Sequence, residues 1–197
     1  MPSVRCMSAS PSGSSEPAWG PCFLSSRIAV EVAGRRTRDA MSNAEGDARQ
    51  YRERRERLAA DHHAQCMFRH NPPVDDLCFA FRSDGVLLSE FVCDDRHQGY
   101  ERMVHGGLIA AVVDASMAQC LMGHGIVAYT TDLSLRYRSP VEVNRQVVVE
   151  TRITEVAMGS MLYHLTSHVR QGPRMRVQAK GRFYRADSTT RDGRGTR

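Results

Sequence analysis

In the stretch MVHGGLIAAVVDASMAQC, Met103 to Cys120, a histidine and two glycines precede a run so apolar that its one carboxylate, Asp114, stands out. Helical spacing gives Asp114 the neighbours Ala110, Ala111, Met117 and Ala118, so the carboxylate leaves a face of small and apolar residues. A charge in such a place is costly to desolvate; it takes a partner or its pKa rises. Two readings follow: a structural acid tied to an arginine or a backbone donor, or a general base or nucleophile facing a cleft. His105, Gly106 and Gly107 bear on the choice. A helix start carries unsatisfied N–H groups and the positive end of the dipole, and glycine omits the Cβ that would hold a ligand away. That environment suits an oxygen that gains negative charge as its carbonyl is attacked. Taken alone, His105 also reads as a capping or packing residue.

Gly106 and Asp114 are eight residues apart, which along a helix is about 12 Å of rise and about 80° of rotation. A reacting carbonyl must lie roughly 3 Å from each group acting on it, so one helix cannot offer both groups to one carbonyl. Either Asp114 does not work with this glycine, or a second subunit supplies one of the pair. A homodimer with two equivalent sites across a two-fold axis satisfies the second case.

The elements that must position these residues are legible on either side. EGDARQYRERRERLAADHHAQC, from Glu45, is rich in helix formers with few apolar contacts and predicts a mostly exposed helix ending near His63. LCFAFR and VLLSEFVC, separated by SDG, predict a hairpin from about Leu77 to Cys93. DDRHQGYERM reads as a polar loop, and Leu108 to Met122 as one long apolar helix. Four strand-like segments follow, joined by PVEVN, AMGS and QGP. In the first, Leu133, Leu135 and Tyr137 alternate with Asp132, Ser134, Arg136 and Arg138; in the last, Met175, Val177 and Ala179 alternate with Arg174, Arg176 and Gln178. The implied fold class is α+β: a long central helix wrapped by a curved antiparallel sheet and needing further cover on its other side.

Bulk properties bound the rest. The chain of 197 residues is 41% hydrophobic, enough for one domain with a sizeable core. The domain is placed at residues 45–186, between a disordered extension, 1–44, and a disordered tail, 187–197, both poor in core-forming residues. For residues 1–40 two further readings stand: an organelle-targeting segment, and translation that begins at Met41. The formal net charge of +5 is swelled by arginines at both ends of the chain, which leaves too little in the domain for a nucleic-acid surface. Six cysteines without a CxxC pair and no signal peptide predict reduced thiols in a cytoplasmic protein. No apolar run approaches the roughly 20 residues of a spanning helix, and no membrane association is expected. Cys66, His62, His63 and His70 lack regular ligand spacing, so no metal is expected.

HQGYERMVHGGLIAAVVD followed by TTDLSLRYRSPV resembles, in residues and in order, the hotdog-fold acyl-CoA thioesterases, in particular their phenylacetate-degradation-type (PaaI-like) branch. That family has a glycine-bearing loop, VHGG, an acid nine positions after the His, and a T-x-x-L strand ending at P-V; the likeness covers about Leu77 to Arg185. It implies a hotdog fold of five to six strands, with sites between the subunits of a homodimer or a dimer of dimers. It implies hydrolysis of an aryl- or medium- to long-chain acyl-CoA to free acid and CoA, with no cofactor beyond water. Carried over by position, Asp114 resembles the general base or nucleophile, Gly106 the oxyanion N–H donor, His105 a supporting residue near the carbonyl, and Thr130 a hydroxyl that positions the water or the acid. Gly107 lies beside them on the substrate side.

The pattern also departs from the family. Relatives carry Gln or Asn fifteen positions before the acid, where this chain has Gly99, so a polarising amide comes from Gln98 or is missing. CMFRHNPP keeps only part of the C-x-x-C-G-x-x-N-P opening of the branch. Arg136 and Arg138 are assigned to the CoA phosphates, with Arg174 and Arg176 as further strand arginines of suitable chemistry. Met103, Leu108, Met117, Tyr129 and Met158 are expected along the acyl tunnel, where methionine adapts to varied shapes. The competing reading is a non-catalytic acyl-CoA-binding hotdog module; a hotdog dehydratase would need an Asp and a His about five apart, which this chain lacks.

Overall fold

The computed structural model describes residues 38–70, 72–74 and 76–186, with side chains from residue 46 onward, His70 excepted. The expectations for residues 1–37 and 187–197, the targeting and start-site readings included, lie outside the described residues. The first helix, α1, spans Arg38–His62. It therefore begins upstream of Glu45, inside the stretch assigned to a disordered extension, because no proline interrupts the helix formers and an existing helix propagates more easily than it nucleates. A short α2, Met67–His70, leads into the sheet.

β1 (Cys78–Phe81) and β2 (Leu87–Cys93) form the expected hairpin, with Gly85 in the left-handed region at its turn. The following segment is not a plain loop. It holds a 3₁₀ turn, Asp95–His97, capped by Asp94, and a small ribbon of β3 (Gln98–Tyr100) against β4 (Met103–Val104). Its order comes from local polar bonds: Arg96 N–H donates to Asp94 Oδ1 at 2.9 Å, Asp94 N–H donates to His97 Nδ1 at 3.1 Å, and His97 Nε2 lies 2.8 Å from the Pro73 carbonyl. The central helix α3 spans Gly106–Gly123, followed by β5 (Ala128–Tyr137), β6 (Arg145–Ala157), β7 (Leu162–Gln171) and β8 (Arg174–Arg185).

The main sheet has six antiparallel strands in the order β1-β2-β6-β7-β8-β5. Its concave face buries Leu87, Phe91, Val147, Val149, Leu165, Val177, Ala179 and Phe183 against Ile109, Val112, Val113, Met117, Cys120 and Leu121 of α3. α3 is apolar and long enough to cross a membrane by composition alone, yet here it is the core around which the sheet wraps. Hydroxyls are threaded through that core in pairs. Ser89 Oγ donates to Ser116 Oγ at 2.9 Å, Ser116 Oγ donates in turn to the Val112 carbonyl at 2.7 Å, and Thr151 Oγ1 meets Ser167 Oγ at 2.7 Å. Buried polar groups thus keep their partners.

α1 supplies the remaining cover. Tyr51 stacks on Phe81 at 5.3 Å and packs against the His124 ring at 4.8 Å, while the Arg55 guanidinium lies 5.7 Å from the Phe79 ring centre. At the close of α3, a Cβ on Gly123 would stand 2.0 Å from Phe81 Cζ, so only glycine lets the helix approach the hairpin this closely. Cys93 and Cys120 are free thiols whose pKa values burial pushes up to about 11 and about 12. Cys78, in contrast, is disulfide-bonded, a departure from the expectation of reduced thiols throughout.

Candidate active site

The site begins where α3 begins. His105 caps the helix in an extended conformation, φ −58° and ψ 126°. Its carbonyl accepts from Leu108 N–H at 3.0 Å and Ile109 N–H at 3.3 Å, and its Nδ1 accepts from Gly107 N–H at 3.0 Å. The Ile109 bond is the first regular one of the helix; with His105 N–H donating to the His97 carbonyl at 2.8 Å, three of the four amides that a helix start leaves open, those of His105, Gly107 and Leu108, are satisfied. The fourth, Gly106 N–H, has no acceptor among the described residues. The HGG triplet has a local explanation: His105 closes the cap, and Gly106 presents a free donor at the positive end of a helix 18 residues long.

The loop before α3 fixes this start in space. His105 N–H donates to the His97 carbonyl at 2.8 Å and Val104 N–H to the Val141 carbonyl at 2.8 Å. A Cβ on Gly99 would lie 3.1 Å from both Cα and Cδ2 of His105, so a side chain there would press on the imidazole. Gln98 does not reach the site. Its Oε1 accepts from Arg102 N–H at 2.6 Å and its Nε2 donates to the Asp95 carbonyl at 3.1 Å, which commits both ends of the amide to the loop.

Asp114 lies two turns along α3 and is half-buried. The structural reading of this acid asked for an arginine or a backbone donor, and neither is present among the described residues. Its partner is a hydroxyl: Thr130 Oγ1 donates to Asp114 Oδ1 at 2.7 Å. Thr130 pairs with the buried Phe183 across the edge of the sheet, and the bulge between Thr130 and Asp132 follows directly. The bulge lets β5 turn Thr130 toward the helix and still place Leu133 and Leu135 on the same inner face. The second oxygen of the carboxylate carries no donor among the described residues.

Tyr137 is a site neighbour that sequence reasoning missed. It is the last residue of β5, and its hydroxyl donates to the Gly106 carbonyl at 2.6 Å, with burial pushing the phenol above its ordinary pKa. Alternation placed it on the inner face with Leu133 and Leu135, but nothing in spacing distinguishes a packing tyrosine from one that bonds a helix start. The arginines lie elsewhere. Arg136 alternates with Leu135 and Tyr137 on β5 and so leaves its outer face, while Arg138 follows the end of the strand and its Nη2 donates to Gln178 Oε1 at 2.9 Å. Arg176 is buried and bonds Glu142 at 2.7 Å, because the register shift beside Arg170 turns it out of the alternation that predicted a solvated face. Of the residues expected along the acyl tunnel, Met117 is fully buried over Gly181 and Leu108 packs on the core. Met103, Tyr129 and Met158 are 40%, 65% and 67% exposed. Among the described residues no cluster of three or more His, Cys, Asp or Glu side chains is placed to hold a metal ion.

A helix of this composition inside a six-stranded antiparallel sheet is the hotdog fold. The thioesterase superfamily model matches residues 102–175, from the loop before α3 into β8. Residues 102–175 thus resemble the thioesterase superfamily, within a domain of hotdog fold. Acyl-coenzyme A thioesterase THEM4 of Rattus norvegicus is 28% identical over 90 residues, covering 46% of this chain and 39% of that protein. THEM4 of Mus musculus is 34% identical over 59 residues, covering 30% of this chain and 25% of that protein. The matched segment thus spans well under two thirds of either relative. The PaaI protein of Escherichia coli, from the phenylacetic acid degradation operon, shares the fold with a TM-score of 0.59 over 72% of this chain and 96% of that one, at 8% identity.

Proposed function

We propose that this protein is an acyl-CoA thioesterase that hydrolyses aryl- or medium- to long-chain acyl-CoA to the free acid and CoA. One observation carries the reading: among the described residues Gly106 N–H is the single helix-start amide left without an acceptor, on the same helix as a half-buried carboxylate whose one partner there is Thr130. The free amide binds the thioester oxygen as it gains charge, and Asp114 takes a proton from water as that water attacks the carbonyl carbon. Thr130 holds one carboxylate oxygen and leaves the other for the water. Because the helix separates Gly106 from Asp114, each site takes Gly106 from one subunit and Asp114 from its partner, in a homodimer or a dimer of dimers. The names of the THEM4 relatives and the superfamily match support the same reaction class.

The test is thiol release from phenylacetyl-CoA, benzoyl-CoA and a saturated acyl-CoA series by the native protein, Asp114→Asn and Gly106→Pro. Proline suits the first position of a helix and removes the N–H, its Cβ would meet the Tyr137 ring at an ordinary contact of 3.4 Å, and His105 already has the extended backbone that a residue before proline requires. Gly106→Pro is expected to fold and to lose turnover on the order of 10²-fold. Asp114→Asn is expected to fold and lose most turnover. The commitment of Gln98 within its loop, with Gly99 beside it, favours a second reading as a binding module. Tight acyl-CoA binding by the native protein without thiol release would establish that reading and refute hydrolysis.

A further inference from the structure

We infer that the turn between β6 and β7, with the tyrosine row beside it, is a docking lip for an anionic lipid surface. Turns between strands are ordinarily polar, yet VAMGSML, Val156 to Leu162, holds no charged residue. Met158 at its tip and Val156 before it are exposed. The register carries the patch across four strands: Tyr129 lies opposite Tyr184, Tyr184 opposite Leu162, and Leu162 opposite Ala157. Opposed residues share a face, and because Phe183 points into the core, this row leaves the outer face of the sheet. Both tyrosines are exposed there. The backbone of the tip adds a second observation. Met158, Gly159 and Ser160 follow one another in the left-handed region, at φ 52°, 61° and 69°. Glycine adopts that region freely, whereas methionine is held in it against its preference. With its side chain also in water, neither backbone nor packing accounts for Met158; display of an apolar tip does.

The charges select the partner. On the outer face of β8, Arg182 and then Lys180 follow Tyr184 at steps of about 7 Å, and Arg185 adjoins it on the other side. Asp132 holds Arg182 at 3.3 Å, while Lys180 and Arg185 have no acidic partner among the described residues. Glu155, in the row of His164 and Arg182, is the further acid nearby. Apolar side chains at a tip, tyrosines behind them and cations around those match the order of acyl chains, interface and anionic headgroups met on entering a bilayer. A two-fold contact with a second copy would instead set Lys180 and Arg185 against their own copies. Docking of this kind needs no spanning helix, so the expectation of no membrane association, which rested on spanning length, does not exclude it. It is also independent of hydrolysis at Asp114.

Flotation of the full chain with vesicles of phosphatidylcholine alone, and of phosphatidylcholine mixed with phosphatidylserine, tests the inference. The native protein is expected to float with the anionic vesicles and to remain behind with the neutral ones. Met158→Asn removes the apolar tip and leaves the turn intact, because asparagine accepts the left-handed conformation. It is expected to melt no lower than the native protein and to partition about tenfold less onto the anionic vesicles. Lys180→Gln combined with Arg185→Gln, both at exposed side chains, is expected to lower partitioning on the order of tenfold. No flotation of the native protein, equal flotation with both vesicles, or native partitioning by either folded variant overturns the inference. Self-association that Met158→Asn abolishes in sedimentation velocity, with no lipid bound by the native protein, overturns it in favour of a second copy.

Discussion

Glu90 shows what a carboxylate does in this fold when it has no task at the site. It is 7% exposed on β2, accepts from Gln146 Nε2 at 3.1 Å through one oxygen, and has no partner for the other among the described residues. Burial raises its pKa above the ordinary 4.5, with the Gln146 bond opposing. A raised native pKa means the folded state binds protons more tightly than the unfolded one, so stability falls as pH climbs from the unfolded pKa through the folded one. Glu90→Gln is therefore expected to stabilise the protein at pH 7 by about 1 kcal/mol, roughly 2–4 °C in melting temperature, with the gain vanishing below pH 4.5. Melting curves at pH 4 and pH 7 check both. The residues at the site were unequally legible. Asp114 stands out in sequence because a charge in an apolar helix needs a reason, and Gly106 because glycine at a helix start has no Cβ to keep a ligand from the open N–H. Gln98 misled because an amide beside a glycine looks available until its loop is seen to use both ends. Tyr137 was silent because its bond crosses from a strand end to a helix start.

At the scale of elements, the approach of α3 to the hairpin depends on Gly123. Its absent Cβ is replaced by the Phe81 ring, which in turn carries Tyr51 of α1 at 5.3 Å. Gly123→Ala is expected to cost about 1–3 kcal/mol through overpacking, read as a lower denaturation midpoint. Phe81→Leu in the same chain is expected to recover most of that loss, because the two sites are in contact and their effects do not add. The elements themselves were mostly legible. Period-two alternation marked β5 through β8, the SDG turn marked the hairpin, and continuous apolarity marked α3. The ribbon of β3 and β4 was not legible, since DDRHQGYERM has no alternation and is ordered by Asp94, His97 and Gln98 bonding to nearby backbone. Arg176 was misread for a related reason: a register shift breaks the alternation that the sequence alone shows as regular.

For the whole molecule the decisive geometry is the separation of Gly106 from Asp114 along one rigid helix. That spacing is legible in the sequence alone, and the fold adds Thr130 on the edge strand as the anchor of the distant acid. If each site joins Gly106 of one subunit to Asp114 of the other, two inactive variants can repair each other. A heterodimer of an Asp114→Asn subunit and a Gly106→Pro subunit would hold one site with both defects and one with neither. Co-expressed with different tags and purified through both, it is expected to show about half the activity of the native dimer, while each parent homodimer shows almost none. Sites contained within single subunits would leave a defect in both halves of the heterodimer, and no activity would return. The comparison needs no knowledge of the preferred acyl chain, because every sample meets the same substrate and only the pairing of subunits changes.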